Sequence, residues 1–124
     1  MSIKALNKVL QSILNGIKVE TSGIWSYIKL PNGIAIAWGT YTERKTHYIH
    51  VSPLYGYSTS KIMFPLIFTE RPKAFVSMSI GAGLGFYSSF LPATDGMACY
   101  GASTTSDAAG VLITCDILVI GRWK

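Results

Sequence analysis

The densest run of side chains able to do chemistry or recognition is His47-Tyr48-Ile-His50, followed closely by Tyr55 and Tyr57. On a strand, a spacing of three turns His47 and His50 to opposite faces, so the two do not share a metal within one chain; either would ligate one only with symmetry mates. The bland reading, two ordinary partly exposed histidines, is preferred. Tyr48, Tyr55, Tyr57 and Tyr87 lie beside Gly, Ser, His or Pro in segments expected to be loops or edges. Tyrosines exposed among small polar residues build adaptable recognition surfaces, and their flat faces suit sugar rings. The candidate ligand-binding residues are therefore Tyr48, His50, Tyr55, Tyr57 and Tyr87, with Asp95. For each tyrosine, framework packing stays open beside this reading.

Catalysis finds no comparable support. Glu20, Glu43, Glu70, Asp95, Asp107 and Asp116 fall mostly in turn-like or edge positions where acids are simply solvated. No recognisable pair of carboxylates stands out, although a glycosidase pair is a spatial property. Gly81-Ala-Gly-Leu-Gly85 lacks the spacing of a phosphate cradle, and no helix follows it. No Gly-x-Ser-x-Gly elbow is present, and neither Cys99 nor Cys115 has a histidine beside it. Both cysteines sit in apolar strand-like runs and are expected to be free and buried, with a disulfide as the minority reading. No catalytic residue, metal site or cofactor is expected.

The elements that must position these residues are legible from pattern. At 124 residues the chain has room for one hydrophobic core. Ile3, Leu6, Leu10, Ile13 and Ile17 follow a 3-4-3-4 spacing that puts all five on one seam of a helix ending near Gly16. Two heptads do not hold a helix alone in water, so the seam must dock, and its mixture of Ile and Leu permits a three-stranded bundle. From Gly23 the text turns to strands. Gly23 to Leu30 and Ile34 to Tyr41 flank Pro31-Asn32-Gly33, where an Asn-Gly pair tolerant of positive φ signals a hairpin. Ile34, Ile36 and Trp38 share one face of the second arm and Ala35, Ala37 and Gly39 the other; two apolar faces imply a central strand covered on both sides. Trp25 and Trp38 are read as core. Further strands are expected at His47 to Val51, Tyr57 to Phe64, Lys73 to Ile80, Met97 to Ser103 and Val111 to Ile120, with Gly81 to Ser89 as a flexible loop or edge.

The rhythm of short strands and turns fits a β-sandwich or barrel. Residues 1–20 read as a helical segment for trimerisation and residues 21–124 as the β domain. Hydrophobic residues make up 49% of the chain and charged residues 14%, which points to apolar surface facing another subunit. No window has the roughly 18 uninterrupted apolar residues of a membrane span, and the N-terminus lacks the apolar core of a secretion signal. The net charge of +5 is dispersed, with Arg44-Lys45 its densest cluster, which argues against nucleic acid as a partner.

Several segments together resemble the C-terminal domain of bacteriophage tail-fibre and minor structural proteins, including copies in prophages. They are Thr21-Ser-Gly-Ile-Trp-Ser-Tyr-Ile-Lys29 running into Asn32-Gly-Ile-Ala-Ile-Ala-Trp-Gly39, Phe64-Pro-Leu-Ile-Phe68 with Pro72 and Ala74-Phe-Val-Ser77, and Ile120-Gly-Arg-Trp-Lys124. The resemblance implies an all-β, knob-like β-sandwich behind a short N-terminal α-helix. It also implies a homotrimer at a fibre tip, attaching to a host-surface glycan or protein receptor without catalysis. Such a protein is assembled in the bacterial cytoplasm and carried on the virion tail, with no membrane insertion. The resemblance transfers no ligand residues. Three alternatives are a structural tail or baseplate subunit without a ligand, an enzyme degrading host polysaccharide, and a first helix lying on a membrane surface through Lys4, Lys8 and Lys18.

Overall fold

The computed structural model describes residues 2–81, 85–89 and 91–124, with the backbone alone at 14–16 and 86–89. Helix α1 spans Ile3–Gly16. Ser2 opens it: the Ser2 hydroxyl oxygen accepts the Ala5 N–H at 3.1 Å, satisfying one of the donors a helix start leaves over. Every described side chain of α1 is exposed. The predicted seam residues Ile3, Leu6, Leu10 and Ile13, with Ile17 beyond the helix, are thus left exposed by the described residues of the chain.

Among the described residues eleven strands follow: β1 (Glu20–Ser22), β2 (Trp25–Lys29), β3 (Ile34–Lys45), β4 (Ile49–Val51), β5 (Leu54–Ser58), β6 (Ile62–Met63), β7 (Lys73–Ile80), β8 (Gly85–Ser89), β9 (Gly96–Met97), β10 (Cys99–Ser103) and β11 (Val111–Arg122). They form a five-stranded sheet in the order β1-β2-β3-β11-β7, a four-stranded sheet β4-β5-β10-β8, and the small pair β6-β9. All pairings are antiparallel. The chain is all-β apart from its helix, and the two larger sheets enclose one core.

The predicted hairpin joins β2 to β3. Its chemistry differs from the expectation in one respect: only Gly33 takes the left-handed backbone, at φ 95°, whereas Asn32 accepts the Ile34 N–H with its side chain at 3.1 Å. The C-terminus locks this turn. Trp123 donates its backbone N–H to the Gly33 carbonyl at 2.8 Å and its indole N–H to the Leu30 carbonyl at 3.0 Å. A Cβ at Gly33 would meet Arg122 and Lys124 at 2.9 Å, so glycine is needed there both for its φ and for this close approach.

Strands β3 and β11 pair over their whole length, from Val111 opposite Lys45 to Arg122 opposite Ile34. Alternation then sorts their side chains. Ala35, Ala37, Ile113, Cys115, Ile117 and Val119 point inward and are fully buried, meeting Tyr57 and Cys99 from the other sheet. Trp25 lies in this core as expected, its indole donating to the Met63 carbonyl at 2.7 Å and its ring edge-on to Phe64. Trp38 does not: it is 39% exposed. The expectation that β3 is covered on both sides holds for the inner face only, because a sandwich of two sheets leaves each outer face open unless something further covers it.

The expected strand at Tyr57 to Phe64 is divided: β5 already starts at Leu54, and an irregular stretch from Thr59 to Lys61 precedes β6. The expected strand from His47 begins only at Ile49. Gly85–Ser89, expected as a loop or edge, is the edge strand β8. The rest of the glycine run, at 82–84, lies outside the described residues.

Candidate functional site

Because β4 starts at Ile49, the alternation that would separate His47 from His50 does not run through His47. The structure corrects that expectation: the two imidazoles converge on Tyr55 of β5. His50 stacks on the Tyr55 ring with centroids 4.2 Å apart and planes within 4°. His47 meets the same ring edge-on at 4.9 Å and His50 at 6.2 Å. The register fixes this, since His50 pairs with Tyr55 across β4 and β5, and the chain returns between them through the Ser52-Pro53 turn. His47 is held from behind by the Ser106 hydroxyl, 3.2 Å from its Nδ1.

Tyr57 lies two residues along the same face of β5, and there the sandwich closes over it. It is 1% exposed, and its hydroxyl donates to the Thr105 carbonyl at 2.7 Å. Burial pushes its ionisation above the ordinary tyrosine value. Tyr57 therefore leaves the set of exposed rings and acts as the floor beneath His47, with centroids 6.4 Å apart.

The remaining candidates fall elsewhere. Tyr48, 63% exposed, is on the other side of β5, lying with Ile49 over Gly56 and edge-on to Tyr100 of β10 at 6.5 Å. Gly56 makes that possible, because a Cβ there would come within 2.5 Å of Ile49. Asp95 sits just before β9 and pairs with Lys61 at 2.9 Å, at the small β6-β9 sheet. The Lys61 hydrogen bond holds its carboxyl below the usual range. The Tyr87 side chain lies outside the described residues; its backbone pairs with Gly101. Sequence reasoning brought His50 and Tyr55 into one set, but it missed Ser106 and Tyr100 and left His47 as an ordinary histidine. The β4-β5 register brings His50 to Tyr55 and the β5-β10 pairing sets Tyr100 on the neighbouring strand, and no local pattern reveals either.

A second open surface lies on the outer face of the five-stranded sheet. Trp38, Leu118 and Phe75 form one row across β3, β11 and β7, and they border a shallow cavity of about 460 Å³. Leu118 and Phe75 are 38% and 59% exposed. The adjoining row is polar: Thr40 donates to Asp116 at 2.6 Å, beside Ser77.

Glu43 corrects the expectation of solvated acids. Its carboxylate accepts the Ser60 N–H at 2.9 Å, the Ser60 hydroxyl at 2.8 Å and the Tyr41 hydroxyl at 2.8 Å, tying β3 to the connection after β5. Burial opposes its ionisation, but these bonds with nearby Lys45 hold its carboxyl below the usual range. Tyr41 answers in the opposite sense, pushed up to about 12 by burial and by its bond to Glu43. Among the described residues, no group of three or more His, Cys, Asp or Glu is placed to hold a metal.

No protein-family model matches the sequence, and no curated protein is significantly similar to it. Solved structures do match in fold. The chain is similar to an N-truncated R1-type pyocin tail fiber, with a TM-score of 0.54 at 10% identity over 98% of both chains. It is also similar to a longer C-terminal piece of the R1 pyocin fiber of P. aeruginosa, with a TM-score of 0.52 at 11% identity; here it spans 98% of its own length and 32% of the other chain. The all-β architecture with a short leading helix is thus that of these fibre pieces.

Proposed function

We propose that this chain is the attachment tip of a phage or phage-like tail fibre, working as a homotrimer that binds host-surface carbohydrate without cutting it. The observation that carries the reading is the ring cluster of His47, His50 and Tyr55 at the edge of the four-stranded sheet, with His50 exposed and His47 and Tyr55 half-buried. A stacked aromatic pair offers a flat face to the C–H surface of a sugar ring, and imidazole nitrogens offer hydrogen bonds to its rim. The likeness in fold to pyocin tail fibers supports the fibre context.

Assembly follows from what the chain leaves uncovered. The α1 seam and the Trp38–Leu118–Phe75 row are both apolar and both open, and a threefold arrangement buries them. Three tips side by side convert weak single sugar sites into firm attachment. On this reading the protein is made in the bacterial cytoplasm and carried on the tail of the particle.

The test is binding of the intact protein to a panel of bacterial surface glycans, with Tyr55→Ala as the control. Binding that the substitution weakens supports the reading. Binding unaffected by Tyr55→Ala moves the site elsewhere, and release of shortened sugar chains on incubation overturns the non-catalytic part.

A further inference from the structure

The net charge of +5 is dispersed along the sequence, but the five-stranded sheet gathers much of it. Strands β2 and β11 end, and β7 begins, at the same end of that sheet, because Lys29 is opposite Ala35, Ala35 opposite Gly121, and Lys73 opposite Ile120. This end carries Lys29, Arg71, Lys73, Arg122 and Lys124, all exposed. The Lys29 and Lys124 ammonium groups lie 5.2 and 4.9 Å from the centre of the Trp123 ring, whose face attracts both. The acidic side chains here are Glu20, opposite Tyr27 on β2, and Glu70. Among the described residues, none of the five cations has a carboxylate within 4.0 Å, since the ion pairs are Lys45 with Glu43 and Lys61 with Asp95. Five cations against two acids make this end a positive surface.

Beside these cations lies a hollow of ligand size. A cavity of about 450 Å³ opens between the start of β7 and the segment before β9, with Arg71, Lys73 and Glu70 as its charged lining and Phe75, Leu91 and Pro92 as its apolar wall. Leu91 is 75% exposed and Phe75 59%. Solvation accounts for cations at a strand end. It does not account for large apolar side chains left in water next to them. A ligand that uses both kinds of group carries a negative charge and a C–H face.

We propose that this hollow binds the carboxylate-bearing sugar of an acidic surface polysaccharide. The sugar ring lies against Phe75 and Leu91, and its carboxylate is held by Arg71, whose guanidinium presents two parallel N–H donors, and by Lys73. Lys29, Arg122 and Lys124 attract the neighbouring acidic units of the same chain. A bare phosphate polymer has no ring for the apolar wall, and a neutral sugar leaves the cations unused. The inference rests on the carbohydrate-binding reading but not on the His47 cluster. Strand β3 runs twelve residues from this end to Lys45, two positions before His47, so the two sites stand at opposite ends of the long sheet.

The experiment titrates the intact protein with a short oligogalacturonate by calorimetry. Its methyl ester, which keeps the rings and loses the charge, and inorganic polyphosphate, which keeps charge without a ring, are the comparisons. Oligogalacturonate is expected to bind about tenfold or more tightly than either, the scale of hydrogen bonds to a charged group, and to weaken as salt is raised. Replacing Arg71→Gln and Lys73→Gln together is expected to lower its affinity by about tenfold with the circular dichroism unchanged, while Tyr55→Ala leaves it as it was. No binding of oligogalacturonate, equal binding of the ester or of polyphosphate, or a loss on Tyr55→Ala without one at Arg71 and Lys73 would each overturn the inference. Binding of neutral glycans that Tyr55→Ala weakens, with none of oligogalacturonate, would overturn it while leaving the proposed function standing.

Discussion

The two large sheets solve different problems with the same alternation. In the five-stranded sheet, β3 and β11 each run twelve residues in unbroken register, and the outer face carries Trp38, Leu118 and Phe75. In the four-stranded sheet the strands have five residues or fewer, glycine and tyrosine are frequent, and rings gather at the β4 edge. Long regular strands make a stiff plate whose uncovered side suits a broad apolar contact. Short strands with turns between them bring side chains from distant positions to one rim. On the proposed reading, one sheet packs against a neighbour and the other displays its rings.

Adjacent positions on β11 sharpen this contrast most. Ile117→Ala removes a fully buried side chain between the sheets and is expected to lower the unfolding free energy by about 2–5 kcal/mol in urea titration. Leu118→Ala, one residue on and facing outward, is expected to stay within about 0.5 kcal/mol when measured below the concentration at which chains associate. Its effect appears instead as a reduced associated mass. Equal losses from the two substitutions would break the distinction between inner and outer faces.

The seam between the sheets is next in size. The folded value of Tyr41 is raised, so its contribution is fully present below pH 10 and is lost as the pH climbs towards 12, about 2 kcal/mol in all. Tyr41→Phe removes that part of the alkaline decline, read as the difference between the two stability profiles. The folded value of Glu43 is depressed, so its contribution is present above the ordinary carboxylate range and is lost as the pH falls through the folded value. Glu43→Gln flattens the acid side accordingly.

The two tyrosines of β5 give the smaller effects and divide display from packing. Tyr55→Ala is expected to weaken binding to any recognised glycan about tenfold, the loss typical of an aromatic anchor, measured by titration calorimetry. Tyr57→Phe deletes only the hydroxyl that bonds to the Thr105 carbonyl. It is expected to cost about 1 kcal/mol in stability and to leave binding unchanged. The reverse pattern would make Tyr57 the contact residue and Tyr55 the packing one.

How much of this was legible in the sequence depended on whether the signal was local. The helix over residues 3–17, the Pro31-Asn32-Gly33 hairpin and the strand Lys73–Ile80 all announce themselves through spacing within a few residues, and they stand where expected. The terminal Gly-Arg-Trp-Lys, quoted for its resemblance, proves to be the lock on that hairpin turn, a role that depends on residues some ninety positions away. Tyr55 and Tyr57 look alike in sequence, each beside Gly56. Only the packing of one sheet over the other leaves Tyr55 half-buried at the rim and buries Tyr57 completely. Trp38 was misread because a strand with two apolar faces reads the same whether its second cover comes from its own chain or from elsewhere. The same ambiguity hides the convergence of His47 and His50, which depends on where β4 begins.

The central claim is that the open face of the long sheet and the seam of α1 are covered by two further copies of the same chain. The most direct measurement is the solution mass by light scattering over a range of concentrations. The account predicts three times the 13.5 kDa of one chain, falling towards one on Phe75→Glu with the circular dichroism unchanged. A single chain at every concentration, with the α1 seam and the Trp38 row still open to water, would contradict it.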